Sequence, residues 1–363
     1  MRIVACEVWG YTLPLINPLS LKGLSIHFRS GFLIKCIAES GGVGWGDIAP
    51  IPQFSSETWE TIKEQVPEFT QNMIGVTIDK TTVSLERLLE PLSTMTLYPS
   101  VRFGLETAMC NLAAEEWATS VSSILSTRIN DFVFINALLT GGMDTICESA
   151  EQAKHNGYKT LKVKVGQGAL VDDIECINKV CDIANKDMTI RLDANQAWTL
   201  DEALTFSRTI QSDKVEYIEE PLKASEDLAV FMAESSLPVA LDESLINRSN
   251  IEDWQGIKAV IIKPTLLGGI LQALNLSNKA RSLGIRSVIS STFESGVGIC
   301  ALVQLAAAIG DRVTSAGLDT YRWLKKDVLS MPIPFRGGCI KLDELEKSPP
   351  EIRCEELQDL TYD

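Results

Sequence analysis

Residues 160–166 read TLKVKVG, a β-branched run between a turn and a glycine, with two lysines one residue apart. Side chains at i and i+2 of a strand share a face, so Lys162 and Lys164 point the same way. Taken alone, such a pair fits a solvated lysine ladder on an exposed strand. Its surroundings argue otherwise. From about residue 132, short β-rich runs alternate with amphipathic segments: FVFINALL (132–139), TLKVKVG, MTIRLDAN (188–195), VEYIEEPL (215–222), PVALDES (238–244), AVIIKPT (259–265) and RSVISST (286–292). Helical candidates lie between them at 145–157, 171–185, 200–210, 226–236, 250–257 and 269–284, and a last one follows at 297–310. Alternation of this kind builds βα units around a parallel sheet. SAGLDT (315–320) can supply an eighth strand, which predicts a closed TIM-type barrel. An open doubly wound sheet would carry a Gly-rich phosphate turn after its first strand, and neither GxGxxG nor GxxxxGK[ST] occurs. Thr199 followed by Glu202 predicts a capping box opening one barrel helix, with Asp201 in its first turn.

The rest of the chain reads differently. Residues 1–125 hold two alternating stretches, a glycine-rich turn at ESGGVGWGD (39–47) and helical segments from Ser55 onward, predicting an α+β capping domain. The barrel is expected over 126–322, and the polar segment 323–363 is expected to pack back on the cap and complete it.

At 363 residues and 45% hydrophobic, the chain can bury a sizeable core. Its formal net charge of −15 opposes nucleic acid and anionic membrane surfaces. The N-terminal stretch fits neither a signal peptide nor a membrane span, so a cytoplasmic location is expected. Nine cysteines without CxxC or CxxH spacing point to reduced core thiols. The two histidines are His27 and His155, and His155 falls at a polar helix end. Acid–base chemistry therefore falls to lysine or carboxylate.

Such groups recur at the ends of the runs. Asp193 closes TIRLDAN, Glu219 stands in YIEEPL, Asp242 closes VALDES and Lys263 closes VIIKPT. Each has a plain explanation by itself: a turn former, a solvated loop acid (Glu219 or Glu220), a helix cap, a snorkelling lysine. Together they place three acids on consecutive strands, flanked by lysine-bearing strands, at the rim where barrel enzymes hold catalytic groups. Three carboxylates without histidine or thiolate make a hard oxygen site suited to Mg2+, with Mn2+ as the alternative. Three carboxylates and a dication leave −1, and a substrate carboxylate makes −2; lysines offset that charge, each close pair contributing about 4 kcal/mol at an effective dielectric near 20. Crowding of cations near one another and near Mg2+ in a partly dry lumen is expected to depress a lysine pKa and make it a usable base, one lysine of the pair staying charged while the other takes the proton. The chemistry this favours is proton abstraction α to a carboxylate.

The segments KVKVG, RLDANQAW, IEEPL, LDES and IIKPTLLGG, in this order, resemble the enolase superfamily, muconate-lactonizing subgroup. The resemblance implies a (β/α)7β barrel under an α+β cap. GWGDIAPIPQFSSETWE (44–60), PSVRFGLETA (99–108), VISSTFESGVG (288–298) and AGLDT (316–320) look most like subgroup members that dehydrate 2-succinyl-6-hydroxy-2,4-cyclohexadiene-1-carboxylate to an aromatic product. By motif, Lys164 would be the base, Lys162 its electrostatic partner and Lys263 the group stabilising the enediolate. Asp193, Glu219 and Asp242 would ligate Mg2+, Glu219 being preferred to Glu220 because the family ligand precedes the proline by two positions. Asn195, Ser290 and Ser291 match positions that touch substrate. The resemblance implies a small-molecule carboxylate as partner, and leaves a homo-oligomer open. N-succinylamino acid racemisation uses the same groups and is the alternative; a non-catalytic scaffold is a more remote one. Dipeptide epimerases of the subgroup hold the substrate ammonium with Asp-x-Asp, where this chain has Gly317 and Asp319. The cap segment Leu13 to Ser30 is expected to cover the substrate.

Overall fold

A computed structural model describes residues 1–21, 24–80, 84–247, 254–309, 311, 313–346, 351–353 and 357–359. The chain opens with a long antiparallel hairpin, β1 (Ile3–Leu21) and β2 (Leu24–Ala38), joined by β3 (Val43–Ile48). Helices α1 (Trp59–Met73), α2 (Leu85–Leu89), α3 (Pro99–Trp117) and α4 (Val121–Leu125) follow. α3 packs so tightly on β3 that a Cβ at Gly46 would overlap the backbone of Gly104, which explains glycine in both GWGD and RFGLETA.

The stretch 132–139, read above as one strand, is two. β4 (Phe132–Phe134) pairs antiparallel with a late strand, and β5 (Ala137–Leu139) enters the barrel. The units α5 (Met143–His155), β6 (Thr160–Lys164), α6 (Leu170–Ile183), β7 (Thr189–Asp193), α7 (Leu200–Thr209), β8 (Val215–Glu219), α8 (Leu228–Glu234), β9 (Val239–Leu241) and β10 (Ala259–Ile262) come next. They are followed by α9 (Pro264–Leu267), α10 (Ile270–Ser282), β11 (Arg286–Ile289) and α11 (Gly296–Ile309). The first half of the candidate helix at 250–257 lies outside the described residues. Strands β5 to β11 form one parallel sheet in sequence order. It closes through two parallel bridges, Ile135 to Ala316 and Ser290 to Gly317, so the eighth strand is reduced to a pair of residues.

Local signals act as their chemistry dictates. Thr199 and Glu202 cap α7 reciprocally, with Asp201 in the positive first turn. His155 is the last residue of α5. α11 is buried on every side because β3 and α4 cover the face that an outer barrel helix would turn to water. After the barrel come β12 (Cys339–Lys341), α12 (Leu342–Glu346) and β13 (Gln358–Asp359). β12 pairs with β4, and β13 pairs with β1. The described cysteines are all free thiols, six of the eight buried. Among the described residues no helix is long and apolar enough to cross a membrane.

Buried polar groups fasten cap to barrel. Asp47 of β3 accepts from Tyr11 Oη (2.8 Å) and from the amide and hydroxyl of Ser295 (2.8 and 2.9 Å) ahead of α11. Burial pushes Asp47 up to about 7 against these hydrogen bonds, which lower it. Glu106 of α3 accepts from the Leu271 amide at the start of α10.

Candidate active site

Parallel register sets the rim. Lys164 lies opposite Asp193, and Asp193 opposite Glu219, one row across β6, β7 and β8. Asp242 follows the end of β9, and Lys263 the end of β10. Two residues back on β8, Tyr217 joins Ala240, Ile261 and Val288 in an apolar cluster separate from the main core, filling the lumen below the charged rim.

The ion pairs are direct. Lys162 Nζ binds both Glu219 Oε2 and Asp193 Oδ2, the latter at 3.0 Å. Lys164 Nζ is 3.4 Å from Asp193 Oδ2 and bonds Asn195 Oδ1. Lys263 Nζ is 2.5 Å from Asp242 Oδ2. Lys162 is only 9% exposed, which removes the solvated-ladder reading. Lys162, expected to stay charged beside the base, is held as a cation, and so is Lys263. Burial does pull both down, but Asp193, Glu219 and Asp242 around Lys162, and Asp242 and Glu243 around Lys263, outweigh it and hold both above the usual value. Asp193 is buried, yet Lys162, Lys164 and Lys263 hold it well below the carboxylate range. Burial, with the like charges of Asp193 and Asp242, pushes Glu219 up.

The cavity at this rim is lined by Lys162, Lys164, Asp193, Lys263, Ser290 and Ser291 together with Phe293, Asp319, Trp323 and, from the cap hairpin, Pro18 and Leu19. The cover expected from Leu13 to Ser30 falls on the paired strands β1 and β2, which bring Pro18 and Leu19 to the cavity; residues 22–23 lie outside the described residues. Glu219 and Asp242 do not line the cavity, being held against Lys162 and Lys263. Neither does Asn195, expected to touch substrate; it bridges Lys164 and Glu243 Oε1 (2.8 Å). Ser291 donates to Gly317 O (3.1 Å) and bonds Thr320.

The two glutamates of IEEPL diverge because Glu220 turns to φ 42°. Glu219 faces Lys162, while Glu220 Oε1 accepts from Asp242 N (2.7 Å), Ser244 N (3.0 Å) and Ser244 Oγ (2.6 Å). Arg191 was not anticipated: fully buried beneath the site, it donates to Glu216, Ser315 O (2.6 Å) and Asn136. It sits two residues before Asp193, so the same-face rule applied to the two lysines would have found it.

Chemically, the three carboxylates suit a hard divalent ion. Their like charges destabilise one another, and Lys162 already stands as a cation between two of them. Among the described residues no three acidic, thiol or imidazole groups are spaced as a finished metal cage. Asp319 is tied to Leu138 N (3.0 Å), Tyr158 Oη (3.1 Å) and Arg322 Nε (3.2 Å). A Cβ at Gly317 would come 2.6 Å from Ser290 Oγ. Gly317 therefore offers no carboxylate here, and Asp319 is already engaged by three donors.

A closed parallel barrel with opposed lysines and acids at its mouth defines an enolase-type protein. Residues 145–346 match the model for the enolase C-terminal domain-like family, and residues 3–112 the model described as MenC, N-terminal domain. The o-succinylbenzoate synthases of Salmonella typhi and Salmonella enteritidis PT4 are 31% identical over 94% of this chain and 99% of theirs. The chain belongs to the enolase superfamily, within the o-succinylbenzoate synthase family. Solved structures share the fold: an N-succinyl Arg/Lys racemase from Bacillus cereus ATCC 14579 (23% identity, 98% of this chain and 97% of that one, TM-score 0.84) and a muconate lactonizing enzyme from Pseudomonas fluorescens (20%, 98% of each chain, 0.83).

Proposed function

We propose that this cavity dehydrates 2-succinyl-6-hydroxy-2,4-cyclohexadiene-1-carboxylate to o-succinylbenzoate, a step of menaquinone biosynthesis. One observation carries the reading: Lys164 and Lys263 belong to strand positions four steps apart in an eight-membered ring, and so face each other across the carboxylate row. Lys164, as free amine, takes the proton from C1 and returns it to the hydroxyl leaving C6 on the same face. The C1–H and C6–O bonds break, a C1–C6 double bond forms, and water departs. Lys162 stays an ammonium and balances Asp193 and Glu219. Lys263 offsets negative charge that builds on the substrate from the opposite face. Asp193, Glu219 and Asp242 would hold Mg2+, the ion used across the superfamily, which supplies positive charge beside the substrate carboxylate.

Lysines on both faces also serve 1,1-proton transfer, so racemisation of N-succinylamino acids is the second reading. Purified protein given the cyclohexadiene substrate beside N-succinylamino acids tests both. Aromatisation is followed by absorbance and racemisation by α-proton exchange with deuterium. Exchange without aromatisation would reverse the ranking.

A further inference from the structure

Arg29 is a buried cation whose partners are four backbone carbonyls. It lies on β2, 2% exposed, in the hairpin whose far end brings Pro18 and Leu19 to the cavity. Two acceptors are on the cap, Pro50 O (2.9 Å) and Ala49 O (3.2 Å). The other two follow β11, Phe293 O (3.1 Å) and Thr292 O (3.4 Å). A planar guanidinium can serve four acceptors in fixed directions, whereas a lysine ammonium has three donors and no fork.

Phe293 makes this arrangement meaningful. Its φ is +63°, a left-handed conformation that bulky side chains rarely adopt. Glycine would take it without strain but would give up the ring. That ring meets Trp323 edge-on (centroids 5.8 Å apart, planes at 81°) and packs with Leu15, Leu19, Ile26 and Ile51 of the cap. Phe293 and Trp323 line the same cavity as the three lysines. The chain thus keeps an aromatic side chain on unfavourable backbone, and the group bonded to its carbonyl is Arg29.

We propose that Arg29 is a positioning residue: by clamping the Thr292 and Phe293 carbonyls to the Ala49–Pro50 corner of the cap, it fixes the Phe293–Trp323 wall and so sets substrate affinity. The inference rests on the reading of the cavity as the site of dehydration. It predicts that Arg29→Lys raises KM about tenfold and changes kcat less than about threefold. In a Phe293→Ala background the same substitution adds less than about twofold, because the residues act as a unit. Losses that multiply in both backgrounds, or an unchanged KM, would overturn it.

The Trp323 contact gives a reading that needs no turnover. The near-ultraviolet circular dichroism difference between the protein and its Trp323→Phe variant should collapse on Arg29→Lys and equally on Phe293→Ala. A preserved difference overturns the inference. Arg29→Gln is read the same way should Arg29→Lys fold poorly, and misfolding of both would assign Arg29 to global stability instead. Absence of dehydration by the unaltered protein would remove the proposed reaction while leaving the dichroism result to decide the role of Arg29.

Discussion

Glu220 accepts a 2.7 Å hydrogen bond from the amide of Asp242, and with the same oxygen holds Ser244. A carboxylate just past β8 therefore places the next carboxylate of the row. Glu220→Ala is expected to weaken Mg2+ binding about 10- to 100-fold, the usual effect of removing a group that orients a ligand. Calorimetric titration with Mg2+ checks this, and unchanged affinity would show that Asp242 is held by other means.

For Asp242→Asn, a larger loss of Mg2+ affinity is expected than for Glu220→Ala. The substitution removes the charge itself and also frees Lys263 from its 2.5 Å partner. An unaltered titration would count against the ligand set.

Lys164→Ala should remove measurable dehydration, a fall in kcat at or beyond the upper end of the roughly 10²- to 10⁴-fold range for general acid–base groups. The fold should persist, because Lys164 sits at the partly open end of β6. Circular dichroism and melting should match the unaltered protein, and turnover near its level would reassign the base.

Asp47 gives stability a pH dependence with a definite sign. Its folded pKa is raised to about 7 by burial, above its unfolded value near 4, so its contribution is fully present below about pH 4 and is lost as pH rises through 7. Asp47→Asn keeps the shape and can still accept from Ser295. The variant should gain on the parent by roughly 1–3 kcal/mol between pH 5 and pH 8. Urea unfolding at both values tests this, and a constant difference would place the Asp47 pKa in the ordinary range.

Much of the barrel was legible because each βα unit carries its own periodicity, and the charged rim because i and i+2 share a face. Lys162 and Lys164 could be placed from that rule alone, and Asp193 from its place at the end of a run. What escaped depended on backbone conformation or on distant pairing. Nothing local shows that Glu220 turns through positive φ to hold Asp242, that Asn195 spends its amide on Glu243, or that 132–139 divides between β12 and the barrel. Arg29 gave no sign of its role, since its acceptors at 292–293 lie more than 260 residues away.

Closure of the ring by Ala316 and Gly317 has a consequence for how the chain matures during synthesis. Until those two residues emerge from the ribosome, β5 and β11 each leave an edge with unsatisfied hydrogen bonds, and the cap still lacks the β13 partner of β1. Translation must therefore pass nearly nine-tenths of the chain before the mouth of the barrel can take its working shape.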